Sequence, residues 1–220
     1  MVALGKTETM DVLAARALAY RAFQRIFASE PDGALLEALG SDALRMSLEL
    51  LAGNEAANAF GRTLSSVSDL GAVGDEYTRV FLGPGDLAAP PWESTYLSND
   101  NLIFQASTLA VREAYLKAGF LPVMHPRVAD DHIALELDFM SRLAQKAQGL
   151  YADDDEAGFE EELKRQKSFL NEHLLKWVPF YERRLSESGI GSFYGRILEV
   201  LTAFLAGDAL ALRDLLSDGL

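Results

Sequence analysis

An all-α fold, a single compact bundle of about eight to ten helices, is what this sequence predicts. Three observations carry the prediction. Apolar residues recur at three- and four-residue steps along most of the 220-residue chain, the spacing that gathers side chains on one helical face. No stretch alternates apolar and polar residues over a useful strand length. Glycine and proline punctuate the chain at intervals that suit helices.

The first helix places Leu13, Ala17, Tyr20, Phe23 and Phe27 on one face, after Thr9 as an N-cap with Asp11 in the first turn, and "SEPDG" stops it. Short helices are expected at 31–40, 41–52 and 55–67, separated by Gly40, Ser41 and Gly53. Another at 72–82 carries Tyr77, Val80 and Phe81. After a loop, helix returns over 99–118, capped by "SNDN" and closed at Gly119, with Leu102, Ile103, Ala106, Leu109, Ala110 and Tyr115 turned inward. "HIALELDFMSRLAQKAQG" is apolar at Ile133, Leu137, Met140 and Ala144 and again at Leu135, Phe139 and Leu143, so it packs on two sides. "YADDDEAG" reads as a solvated turn. Helices over 157–175, 177–188 and 192–217 complete the chain, the last with a break at Gly207. One domain covers 1–220: a first half 1–119, a hinge loop 120–130 and a second half 131–220.

With 49% hydrophobic residues the chain can bury a sizeable core. Cysteine is absent, which excludes disulfides, thiolate metal sites and cysteine nucleophiles and suits a reducing compartment. No uncharged apolar run approaches the roughly 18 to 20 residues of a membrane helix, and the N-terminal residues lack a secretory pattern. A cytoplasmic protein without stable membrane insertion is expected. The formal net charge of −13 argues against a nucleic-acid binder, which needs clustered Lys and Arg.

Enzyme signatures are sparse. The histidines are His125, His132 and His173, with no HExxH pair to hold a metal. Asp130, Asp131 and His132 adjoin one another in sequence, a candidate Asp–His acid–base pair, but Asp131 as an N-cap explains the run more simply. "GPGD" lacks the lysine and spacing of a phosphate loop, and Ser94 in "WESTY" lacks a GxSxG frame. No resident cofactor and no metal are expected.

Two proline-stiffened apolar loops remain, at 83–97 and 120–130. The first carries Leu87, Pro90, Pro91, Trp92 and Tyr96 with Asp86 and Glu93; the second leads into Asp130 and Asp131. Proline lowers the entropy lost when a loop is ordered, which suits recognition. A lid folded back on the core fits the same residues equally well.

Four motifs spanning roughly residues 76 to 205 resemble one family, the TorD/DmsD-type redox enzyme maturation chaperones, itself similar to the NarJ-type assembly proteins. They are "EYTRVFLGPGDLAAPPWESTYL" from Glu76, "DDHIALELDFMSRL" at Asp131 and His132, "HLLKWVPFYERRL" with His173, Leu174, Trp177, Pro179 and Phe180, and "FYGRILEVLTAFL" opening the last helix. The resemblance implies an all-helical, non-enzymatic chaperone. Its partners would be the twin-arginine leader and the apo form of a molybdopterin oxidoreductase catalytic subunit, held until the molybdenum cofactor is inserted. In the family the PPW-x-S loop and the Asp–His pair are associated with leader binding, which here gives Pro90, Pro91, Trp92, Ser94, Asp131 and His132. Ala129 stands where the family often has proline, and Glu93 where some members have glycine.

A twin-arginine leader joins a basic stretch to an apolar one, so its receptor needs apolar surface edged by carboxylates. Glu93, Asp130 and Asp131 are the expected arginine partners, since arginine bonds carboxylates bidentately where lysine offers a point charge. Asp86, Leu87, Trp92 and Tyr96 complete the expected surface, with His132 tuning affinity near neutral pH. Trp177, Phe180, Phe193 and Tyr194 are expected in the core, His173 in the core or as a cap, and Tyr77, Arg79 and Phe81 as braces of the loop. Monomer and homodimer both fit the sequence.

Overall fold

The computed structural model describes residues 5–83, 85–97, 106–122 and 128–217. Among them run α1 (Lys6–Ala28), α2 (Gly33–Leu39), α3 (Asp42–Ser65), α4 (Leu70–Tyr77) with a π-helical turn over Thr78–Leu82, and the short α5 (Ser94–Leu97). Then follow α6 (Ala106–Lys117), α7 (Ile133–Ala152), α8 (Glu156–Glu172), α9 (Leu174–Ser188) and α10 (Ser192–Ser217). The all-α architecture is as the periodicity predicts. The one extended pairing among the described residues is an isolated antiparallel bridge between Trp92 and His132. Of the 120–130 hinge, residues 123–127 lie outside the described residues, as do 98–105 with the "SNDN" cap, Leu102 and Ile103.

Helix α1 is the axis of the bundle. Its predicted face, Leu13, Ala17, Tyr20, Phe23 and Phe27, is buried throughout, and it packs most extensively on α7, with α3 and α10 alongside. It starts earlier than Thr9: Gly5 is the N-cap and the Glu8 carboxylate accepts the Gly5 N–H at 2.9 Å, while Thr9 is buried inside the helix. Both predicted faces of α7 are buried, which fits its place between α1 and α8.

Two glycines define where α3 meets α10. Gly53 has φ 85°, ψ 165°, a conformation that breaks α3 into the two helices that the sequence predicts. Gly207 was the expected break in α10, but the helix runs through it. Its role is contact: a Cβ built there would collide with the Leu51 carbonyl oxygen. The missing side chain lets the two backbones touch at the end of the first α3 segment.

Helix α6 is rotated from its predicted face. Thr108, Val111 and Tyr115 are buried, while Ala106, Leu109 and Ala110 point outward. Tyr115 decides this. Its ring packs on Phe120, Phe139 and Phe169 with centroids 5.0, 4.8 and 6.1 Å away, and its hydroxyl donates to the Asp130 carbonyl at 2.9 Å. An aromatic that also finds a polar partner outweighs a leucine and two alanines.

Candidate functional site

The 83–97 loop is launched by the π turn. Gly83 N–H closes it on Thr78 C=O at 2.7 Å, and Gly83 holds φ 40°, where a Cβ would come within 2.7 Å of Leu87 Cδ2. Tyr77 and Phe81 brace the launch point as expected: their rings pack at 4.9 Å with 33° between the planes, and Phe81 meets Tyr194 edge-on at 4.9 Å. Arg79 faces solvent. Glu76 ties the same point to α10, its Oε1 accepting the N–H groups of Phe193 and Tyr194 at 2.8 Å each. A carboxylate there satisfies two of the orphan donors at a helix N-terminus and suits its dipole.

The loop is then fastened at three places. Arg184 Nε donates to Ala88 C=O at 2.7 Å. Ile133 N–H donates to Pro91 C=O, and Glu93 N–H to Asp131 C=O, each at 3.0 Å, forming the bridge that lays Trp92 against His132. Finally Asp131 Oδ2 accepts the Ser94 N–H at 2.9 Å, and α5 follows. Tyr96 stacks on Trp177 at 5.6 Å with 24° between the rings, and the Arg184 guanidinium lies 5.9 Å over its face. The PPW segment and the Asp–His pair, 40 positions apart in the sequence, are thus one unit.

Exposure divides the predicted residues into two sets. Asp86 is exposed, and Leu87, Pro90, Trp92, Tyr96 and His132 are partly exposed. Pro91, Glu93, Ser94, Asp130 and Asp131 are buried. The acids meant for leader arginines hold partners from within the chain: Glu93 lies 2.9 Å from His173 Nδ1, Asp130 pairs with Arg112, and Asp131 holds the Ser94 N–H. The cap of α7 is His132 rather than Asp131, its Nδ1 accepting Ala134 N–H at 3.2 Å. Phe180, expected in the core, is 47% exposed, whereas Trp177, Phe193 and Tyr194 are buried.

Burial shapes the chemistry of these groups. It pushes the His132 pKa down to about 4, so the ring is neutral near pH 7 and its capping nitrogen keeps a free lone pair. Burial also raises the Glu93 carboxyl above the ordinary range, partly offset by His173. It raises Glu136 further, with Glu93 and Asp131 nearby adding to the effect. Glu136 is a site residue that the motif search missed: fully buried on α7, it accepts the Trp177 indole N–H at 3.1 Å. Its signal was a carboxylate between Leu135 and Leu137 on a helix apolar on two sides. Arg112, Tyr115 and Arg184, which hold the second loop and the first, gave no such signal.

The arrangement does not resemble an acid–base site. His132 is committed to a cap and each neighbouring acid to its own partner, and among the described residues no group of three or more His, Asp or Glu could hold a metal. A protein-family model described as nitrate reductase delta subunit matches residues 48–182, more than half of the chain. The chain belongs to this family. Among its relatives is the chaperone protein TorD of Vibrio vulnificus strain YJ016, 28% identical over 203 residues that cover 88% of this chain and 93% of the relative. The TorD of Aliivibrio salmonicida is 29% identical over 133 residues, 60% of each chain, so the match spans less than two thirds of that relative's length. A Haemophilus influenzae protein named "Probable Tat proofreading chaperone DmsD" is 29% identical over 59% of this chain and 56% of its own. A solved structure from Archaeoglobus fulgidus, described as a redox enzyme maturation protein, covers 86% of this chain and 93% of its own with TM-score 0.53 and 20% identity, a likeness of fold. The motif resemblance to TorD/DmsD-type chaperones therefore stands, and these relatives are named as chaperones rather than enzymes. No helix among the described residues is long and apolar enough to cross a membrane.

Proposed function

We propose that this protein is a cytoplasmic maturation chaperone that binds the twin-arginine leader and apo form of a molybdopterin oxidoreductase catalytic subunit, and delays export until the molybdenum cofactor is in place. One observation carries the reading: the PPW loop is pinned by the Trp92–His132 bridge so that Leu87, Pro90, Trp92 and Tyr96 form a partly exposed apolar edge over a buried polar base. The leader's apolar stretch lies along that edge. Its basic stretch meets Asp86 on the surface, and Pro91, Glu93, Ser94, Asp130 and Asp131 hold the loop in shape from beneath.

The loop also covers polar atoms with no hydrogen-bond partner among the described residues: Trp92 Nε1, Tyr96 OH and Asp131 Oδ1. Each such atom costs roughly 1–3 kcal/mol. A peptide entering beside Trp92 offers its own donors and acceptors to them, so binding relieves a penalty that the closed loop carries.

The test is a titration of the purified protein with a synthetic twin-arginine leader, read by calorimetry and tryptophan emission, beside its Lys-Lys version and the Trp92→Ala protein. Saturable binding, weakened about tenfold or more by Trp92→Ala and also by the Lys-Lys change, is the expected result. Absence of binding to leaders of any molybdoenzyme by a folded, monodisperse sample would leave the loop a lid and the protein a structural adaptor.

A further inference from the structure

The second surface of interest is the outer face of α9. On α6 and α7 every base is paired with an acid: Arg112 with Asp130, Lys117 with Glu113, Arg142 with Asp138 and Lys146 with Glu162. On α8, Lys164 and Arg165 pair with Glu160 and Glu161. Helix α9 differs. None of its bases, Lys176, Arg183 and Arg184, forms an ion pair with a described residue, although the chain as a whole has net charge −13. Its own acids do not neutralise them. Glu182 accepts from the Thr202 hydroxyl at 2.7 Å, and Glu187, one turn beyond Arg183, is exposed without an ion pair.

Lys176, Phe180 and Arg183 follow each other at four- and three-residue steps, so they share one face, with Pro179 beside Phe180, and all four are exposed. The Arg183 guanidinium sits 5.2 Å over the Phe180 ring, which keeps the cation beside an apolar surface. Lys176 and Arg183 are two turns apart, about 10 Å along the axis at 1.5 Å per residue. The stripe borders the leader surface without belonging to it: on the adjoining face of α9, Trp177 and Tyr181 carry Tyr96, and Arg184 holds Ala88.

We propose that the Lys176, Phe180, Arg183 stripe of α9 is a second docking site, which takes an acidic peptide segment carrying a large apolar side chain between two carboxylates. A helical segment with acids seven positions apart matches the cation spacing, and its central apolar side chain covers Phe180. Arg183 supplies the bidentate carboxylate contact. The charge pattern also sorts partners, because arginines are repelled at this stripe while acidic segments find here two exposed cations that form no ion pair with a described acid. Two segments of opposite charge can then occupy adjacent surfaces at once.

The probe is a fluorescein-labelled helical peptide of about 15 residues, with glutamates seven positions apart and leucines between them, followed by anisotropy at low and moderate salt. The expected result is saturable, salt-sensitive binding that Lys176→Glu with Arg183→Glu weakens by about tenfold or more and Phe180→Ala by several-fold. The exposed Lys167→Glu on α8, which makes the same kind of change in net charge, leaves it unaltered. Phe180→Ala reverses no charge, and retained melting temperatures show that these surface variants fold. Binding that survives the double reversal, or that a lysine-for-glutamate peptide shares, would overturn the proposal. So would no binding at all, or equal dependence on the stripe for phosphatidylserine vesicles in place of the peptide. Leader affinity is measured on the same proteins, so failure here is distinguishable from failure of the leader reading.

Discussion

His132 works through both sides of its ring. One nitrogen caps α7 by accepting Ala134 N–H, and the ring meets Trp92 edge-on at 5.3 Å. A cap of this kind requires that nitrogen to be unprotonated, which agrees with a pKa pushed down to about 4 by burial. Because the folded value lies below the free histidine value of about 6.5, the unfolded chain takes up the proton first as pH falls. Stability from this group is therefore fully present above about pH 6.5 and is lost on the way down to pH 4. Urea unfolding across that range should show a decline of roughly 1–3 kcal/mol that shrinks in His132→Asn, which keeps a capping side chain but does not titrate. The expected tuning of leader affinity near neutral pH by His132 does not follow from this ring, and affinity should stay flat between pH 6 and 8. Glu136 has the opposite sign. Its raised pKa means that ionisation of the unfolded chain above about pH 4.5 removes stability, so Glu136→Gln, which keeps an acceptor for the Trp177 indole, should leave the melting temperature at pH 7 unchanged or higher.

Among the elements, the α3–α10 crossing is the most exacting. A methyl group at Gly207 has nowhere to go, since the atom it would strike is the Leu51 backbone carbonyl. Gly207→Ala should therefore cost about 3 kcal/mol by chemical denaturation, whereas Gly149→Ala on α7, where an added Cβ meets nothing within 4 Å, should be neutral or stabilising. Sequence periodicity reads such helices well but not their contacts. It fixed the faces of α1 and α7 because each is apolar over several turns, and it found the Gly53 break because glycine there ends one pattern and starts another. It misread Gly207 because a glycine needed for close approach and a glycine that breaks a helix look alike without the partner backbone. It rotated α6 because Tyr115 draws its place from Phe139, Phe169 and the Asp130 carbonyl, all distant in the sequence. The candidate site divides along the same line. That the PPW loop and the Asp–His pair belong together was legible only through the family resemblance, and the inward turn of Glu93, Asp130 and Asp131 was not legible, since their partners His173, Arg112 and Ser94 come from other elements.

At the scale of the whole molecule, the first and last helices are joined by a buried polar cluster. Arg16 and Asp208 are both fully buried, with Arg16 Nε 2.5 Å from Asp208 Oδ1 and the Tyr20 hydroxyl 2.7 Å from Oδ2. Around it the crossing is aromatic, with Tyr20 and Phe23 packed on Phe204 at 4.8 and 5.5 Å. Two ions removed from water regain through their mutual attraction little more than the hydration they lose, so the cluster's worth lies in what happens when it is half dismantled. Arg16→Met alone strands the Asp208 carboxylate in an apolar crossing and should cost about 3–5 kcal/mol, enough to unfold a chain of ordinary stability. Replacing all three members together, Arg16→Met with Tyr20→Phe and Asp208→Leu, removes every charge and leaves only a packing change. That variant should melt within a few degrees of the parent, and a value as low as that of the single mutant would show that the ion pair itself, rather than the avoidance of an unpaired charge, holds α1 to α10.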